Sequence, residues 1–150
     1  NDQGEDTMIN SILLVDDENL FHLVFEDACS LLDITLDLQS IASSDEAARL
    51  FEQWKSDPRG KPECVFVDLN IIGSSFNGIE LIQKINYEYG NGVVVGIISS
   101  SADQEEIDRS LRAGAQFWIV KSDDIEPRLE SFKDDYEGYK NRTAPFKVYK

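Results

Sequence analysis

Four short apolar runs in this 150-residue chain lead directly into a residue able to do phosphate or metal chemistry. Ile12-Leu13-Leu14-Val15 is followed by Asp16 and Asp17, and Cys64-Val65-Phe66-Val67 by Asp68. Val93 to Ile98 is followed by Ser99, and Phe117 to Val120 by Lys121. As parallel strands, these runs deliver all five side chains to one carboxyl-terminal sheet edge, where open α/β sheets bind ligands at a switch point in strand order. If the first and third strands are neighbours, three carboxylates converge, which is unfavourable unless a cation sits between them. Mg²⁺ suits such a site, being a hard ion that takes a few carboxylate oxygens plus waters. A carboxylate held there is a usable nucleophile towards phosphorus and forms an acyl phosphate. A hydroxyl and an ammonium on the next two strands then grip the phosphoryl oxygens. Each residue alone has a plainer reading. Asp16-Asp17 is a common helix N-cap, Asp68 a turn residue, Ser99 part of a serine-rich turn, and Lys121 a solvated strand end. Those readings give no reason for all of them to fall on one edge.

The elements that must position these residues alternate apolar runs with amphipathic stretches, the pattern of a parallel sheet covered by helices. After Asp17, Leu20, Leu23, Val24, Cys29 and Leu31 recur at helical spacing. Ile34 to Ile41 alternates as a half-exposed strand. Ser43 with Glu46 forms a capping box for a helix faced by Ala47, Leu50, Phe51 and Trp54. Ile79, Leu81, Ile82, Ile85 and Tyr89 give a third helix. Val93 to Ile98, the most apolar run, reads as a central strand buried on both faces. Ser101 with Gln104 is expected to cap a fourth helix, which stops at Ala113-Gly114. A last helix begins near Asp124, with Pro127 in its first turn, and buries Ile125, Leu129, Phe132 and Tyr136. Five strand-helix pairs with right-handed crossovers predict a doubly wound α/β sheet of five parallel strands with five helices, and an order 2-1-3-4-5 makes the first and third strands neighbours.

Bulk properties bound the function. One domain of this length buries a core without staples. Fourteen basic against 29 acidic residues give a net charge of −15, which disfavours direct nucleic-acid or anionic-membrane binding. No apolar run reaches the ~18 residues of a membrane span, and no signal-peptide pattern opens the chain, so a cytoplasmic protein is expected. Cys29 and Cys64 make no metal spacing with each other or with His22 and read as buried free thiols.

Taken together these stretches resemble the receiver domains of two-component response regulators, the CheY-like family. The resemblance rests on Ile12 to Glu18, Val65 to Asn70, Gly78 to Leu81, Ile98-Ser99, Ala113 to Ala115 and Trp118 to Lys121, and spans about Ile12 to Tyr136. It implies a phosphorylation-activated switch that accepts a phosphoryl group from a histidine kinase on Asp68. By position, Asp16 and Asp17 match the acidic pair that holds Mg²⁺, and Asn70 the residue whose backbone carbonyl completes the metal shell. Ser99 matches the switch hydroxyl, Lys121 the phosphate-binding lysine, and Trp118 the aromatic whose orientation reports activation. The implied partners are a sensor histidine kinase or phosphotransfer protein and a downstream protein target; a homodimer is compatible with them. The chain is expected to be a phosphoacceptor, not an enzyme with turnover.

Departures from the family pattern are specific. The segment between Asp68 and Gly78 is longer than usual and reads Ile71-Ile72-Gly73-Ser74-Ser75-Phe76-Asn77 where relatives carry Met-Pro. Ser122 follows Lys121 where the family has proline, often after a cis bond, so the loop either stores strain or differs. An indole at Trp118 is larger than the usual Tyr or Phe, so incomplete inward packing is expected. Residues 1–9 read as a disordered segment, 10–137 as the receiver domain and 138–150 as a basic tail. That tail carries Lys140, Arg142, Lys147 and Lys150 with no acidic residue, so the rest of the chain stands at −19. The tail reads as disordered or as docking on an acidic partner or on the domain itself. Two other functions share much of this chemistry. A haloacid-dehalogenase-like phosphatase also uses a strand-end aspartate and Mg²⁺, but its acid/base position two residues on is Asn70 here, which cannot transfer protons. A receiver that binds partners without phosphorylation would not need Asp17, Asp68, Ser99 and Lys121 together.

Overall fold

The computed structural model describes residues 8–71 and 76–150. Six strands, β1 (Ile12–Val15), β2 (Leu38–Ile41), β3 (Cys64–Asp68), β4 (Val94–Ser99), β5 (Phe117–Val120) and β6 (Lys147–Tyr149), form one sheet in the order β2-β1-β3-β4-β5-β6. All pairings are parallel. Helices α1 (Asn19–Leu31), α2 (Ser44–Ser56), α3 (Gly78–Tyr89), α4 (Gln104–Ala113) and α5 (Glu126–Lys140) complete the α/β fold.

The sheet is expected to have five strands and has six. The stretch from 138 to 150 continues α5 to Lys140 and then adds β6 along the β5 edge. Tyr149 is buried there, its hydroxyl 2.7 Å from that of Tyr139 and donating to Asp135 Oδ2 at 2.6 Å. The basic tail is therefore part of the folded sheet. At the other end, residues 1–7 of the segment expected to be disordered lie outside the described residues. Ile9, in that same segment, is fully buried and donates its N–H to the Ile34 carbonyl at 2.8 Å.

Two apolar cores sandwich the sheet. One joins Phe25, Phe66, Phe117, Phe132 and Tyr149 under α1 and α5. The other joins Phe51, Trp54, Leu81, Ile97, Ile107 and Trp118 under α2, α3 and α4. Free Cys29 and Cys64 are buried in the first, and burial pushes the Cys29 thiol up to about 12. The strand alternation explains the split: in β3, Phe66 faces one core while Val65 and Val67 face the other.

Three local expectations change. Helix α1 is apolar on more than one side, and the stripe it buries is Phe21, Phe25, Ala28 and Cys29; Leu20, Leu23 and Leu31 face outward. Strand β2 covers only the end of the alternating segment. Helix α4 is capped by Asp103, whose carboxylate accepts from the Glu106 N–H, and not by Ser101. The Ser43 cap of α2 is present, and Asn77 with Glu80 forms a full capping box on α3.

Gly114 ends α4 with φ at 111°, and a Cβ there would lie 1.9 Å from Asn86 Nδ2. That amide ties α3 to α4 by donating to the Ile82 and Ala113 carbonyls. Gly114→Ala is therefore expected to lower unfolding stability by about 2 kcal/mol or more. Denaturant titration checks this, and a loss within experimental error would contradict it.

Candidate functional site

Strand register brings the chemistry together. Val15 of β1 pairs with Val67 of β3, so Asp16 and Asp68 emerge side by side at the carboxyl edge. Ser99 ends β4 beside Asp68's partner Ile98, and Lys121 begins where β5 ends, its N–H donating to the Ser99 carbonyl at 2.7 Å. One carboxylate oxygen from each of Asp16, Asp17 and Asp68 lies within 4.8 Å of the others. Asp16 and Asp68 are buried, while Asp17 is half-buried.

The hydrogen bonds fix these carboxylates unequally. Asp16 Oδ1 accepts the Glu18 N–H at 2.8 Å, and its Oδ2 sits 2.8 Å from Lys121 Nζ. Asp68 Oδ1 accepts the Asn70 N–H at 3.2 Å, but its Oδ2 stands 3.8 Å from the same ammonium, beyond hydrogen-bond reach. Lys121 also touches Glu18 Oε1 at 3.1 Å and lies 4.8 Å from the centre of the Phe21 ring. The Asp16 carbonyl is hydrogen-bonded by His22 Nε2. Glu18, Phe21 and His22 thus border the site, although their types alone assign them no role. The only signal for them is position, within the first turn after the acidic pair.

Electrostatics follow from this crowding. Burial first, and then the Asp16 charge, push the Asp68 carboxyl up to about 6 against the opposing pull of Lys121. Burial works to lower the Lys121 ammonium, but its bond to Asp16 and the charge of Asp68 carry it above its usual value. The donor set fits a hard divalent ion such as Mg²⁺, with Asp16, Asp17 and Asp68 as carboxylate ligands. Asn70 is exposed at the rim, with its N–H turned onto Asp68. A groove of about 300 Å³ adjoins the cluster, lined among others by Glu18, Leu20, Phe21, Val24, Ser100 and Lys121.

Ser99 and Trp118 are linked through one residue. The buried Ser99 hydroxyl accepts the Ser101 N–H at 3.3 Å, and the Ser101 carbonyl accepts Trp118 Nε1–H at 3.0 Å. Trp118 is fully buried, which corrects the expectation of incomplete inward packing. It packs in the cluster under α2, α3 and α4, which also holds Ala102, Ala113 and Ala115. After Lys121 the peptide is trans, and the loop differs from the proline form. The Ser122 hydroxyl accepts from Asp124 N–H at 3.2 Å and from Arg128 at 2.7 Å. Most of the lengthened segment after Asp68, Ile72 to Ser75, lies outside the described residues.

A family model described as the response regulator receiver domain matches residues 12–130. Among solved structures, NtrX from Brucella abortus superposes with a TM-score of 0.75 at 24% identity, over 90% of this chain and 28% of that one. A CheY-like response regulator receiver domain protein from Methanospirillum hungatei gives 0.71 at 19%, covering 89% and 98%. Response regulator RPA3017 in red light signaling of R. palustris gives 0.72 at 18%, covering 91% and 96%. These likenesses are of fold. The chain spans little more than a quarter of NtrX. No curated protein sequence matches it.

The raised Asp68 value has a sign. A carboxyl whose folded pKa exceeds the unfolded ~3.9 favours folding fully only below that value, and the contribution is lost as pH rises through about 6. Metal-free Asp68→Asn is therefore expected to be more stable than the parent at pH 7, by on the order of 2–3 kcal/mol. The gap should close as pH falls from 6 to 4. Denaturant unfolding in chelator checks this, and an equal or less stable variant at pH 7 would contradict it.

Proposed function

We propose that this chain, which belongs to the family of response regulator receiver domains, accepts a phosphoryl group on Asp68 from a phosphorylated histidine of a sensor kinase or phosphotransfer protein. The observation that carries the reading is the placement of Asp68 between two further carboxylates and one ammonium, with a single oxygen left loosely held. Asp68 Oδ2 forms the new P–O bond as the P–N bond of the donor breaks, and the departing imidazole keeps the electron pair and takes up a proton. Mg²⁺ held by Asp16, Asp17 and Asp68 supplies the positive charge that offsets these carboxylates against an incoming anion. Lys121, now shared with Asp16 and Glu18, is within reach of the phosphoryl oxygens as charge on Asp68 grows towards about −2. Ser99 offers its hydroxyl proton to one of them. Asn70 stands where a haloacid-dehalogenase-like phosphatase carries its acid/base aspartate and cannot transfer protons, which favours a switch over a phosphatase.

The donor's landing surface is supported by α1. Leu20, 74% exposed, and half-buried Val24 line the groove that leads to Lys121, and Leu23, 60% exposed, follows Leu20 one turn on along α1. Such a stripe next to a phosphoacceptor suits the apolar face of a partner helix.

Two measurements test this reading. Intact mass after treatment with acetyl phosphate is expected to show one phosphoryl adduct, dependent on Mg²⁺ and absent in Asp68→Asn. An unchanged adduct in that variant removes the assignment. Leu20→Glu with Leu23→Glu is expected to slow transfer from a cognate phosphohistidine protein by roughly tenfold or more while sparing acetyl phosphate labelling. Equal losses with both donors would place the defect in the site and not in docking.

A further inference from the structure

The sixth strand pairs with the stretch of β5 that holds Trp118, whose indole is tied back towards the candidate site. Val148 pairs with Trp118 in the β5–β6 register, and Phe146 and Val148 pack half-buried on the core cluster that holds the indole. The Trp118 Nε1–H is bonded to the Ser101 carbonyl, and the Ser101 N–H to the Ser99 hydroxyl. One residue, Ser101, therefore joins the hydroxyl beside Asp68 to the indole beneath β6. The strand itself is short. Beyond its ladder to β5 it is fastened by Tyr149, whose hydroxyl bonds Tyr139 and Asp135, and by Lys147, 3.2 Å from Asp135 Oδ2. Lys147 and Lys150 are exposed.

Building on the phosphoacceptor reading, we infer that β6 is the moving output element of this switch, docked in the unphosphorylated state and released when Ser99 turns to a phosphoryl group on Asp68. With Trp118 already fully buried, no aromatic needs to enter the core. When the Ser99 hydroxyl reorients towards the phosphoryl oxygens, the 3.3 Å bond from the Ser101 N–H is lost and the Ser101 peptide shifts. The indole then loses its carbonyl acceptor and its fixed packing against Val148. Release uncovers the β5 edge, a row of backbone groups able to pair with an extended segment. It also frees a basic, aromatic strand from a strongly acidic domain. By linkage, whatever loosens β6 must tighten binding of the phosphoryl group by the same factor.

Amide hydrogen exchange of the full chain, with and without Mg²⁺ and beryllofluoride, tests this. The Asn70 amide reports occupancy at Asp68 independently. With Asn70 responding, exchange at the β6 amides that bond to β5 is expected to rise roughly tenfold in the parent and to stay unchanged in Ser99→Ala. A response at Asn70 with unaltered β6 exchange overturns the inference and leaves the phosphoacceptor reading intact. No response at Asn70 overturns both. A second arm needs no ligand. Tyr149→Phe keeps the ring and removes its two hydroxyl bonds, so it should red-shift Trp118 emission in a Trp54→Phe background. The same substitution should raise beryllofluoride affinity several-fold. Unchanged emission despite faster β6 exchange would show that β6 and Trp118 are uncoupled.

Discussion

Three carboxylates held within 4.8 Å, facing one ammonium, set the terms for everything around them. In water such a cluster would separate, but here two of its members are fixed at buried strand ends and cannot. Lys121 offsets part of the repulsion by bonding Asp16, while burial first and the Asp16 charge second leave the Asp68 carboxyl raised. On the proposed reading a divalent cation would relieve that repulsion, and a phosphoryl group would give Lys121 a second anion to bond.

Parallel strands make the crowding unavoidable. Adjacent β1 and β3 in register bring Asp16 beside Asp68, and no side-chain rotation takes both away from the edge. The next two strands contribute Ser99 and Lys121, joined through the backbone bond from Lys121 N–H to the Ser99 carbonyl. The sheet then continues past this point. In β6 the chain supplies its own cover for the β5 edge, so the surface nearest Trp118 is an intramolecular contact.

Much of this was legible in the residues. Apolar runs that end in Asp, Ser or Lys mark strand ends whatever the helices do, so Asp16, Asp17, Asp68, Ser99 and Lys121 could be assigned to one sheet edge, while their convergence rested on the first and third strands being neighbours, as the sheet has them. The rest depends on packing that periodicity does not encode. Helix α1 carries apolar residues on most of its sides, so spacing could not distinguish the buried Phe21-Phe25-Ala28-Cys29 stripe from the exposed leucines. Strand β6 has three residues and begins with a lysine, and its charge resembles that of a solvated tail; only Tyr149 fitting beneath Tyr139 and Phe132 makes it a strand. The depth of Trp118 is a property of the packed cluster it shares with α2, α3 and α4, which its own strand pattern does not encode. Helix α4 begins at Gln104, which makes Asp103 its cap and leaves Ser101 two residues outside, a boundary that spacing alone did not locate.

The claim that the crowded carboxylates form a cation site at the phosphoacceptor is tested most directly by titrating Mg²⁺ into the metal-free protein while following the amide resonances of Glu18 and Asn70. Those two N–H groups bond the Asp16 and Asp68 carboxylates, so they report on the ligands themselves. The account predicts that both resonances shift together and saturate, and that Asp17→Ala weakens the transition severely by removing a ligand. Resonances that stay fixed up to saturating Mg²⁺ in the parent protein would contradict it.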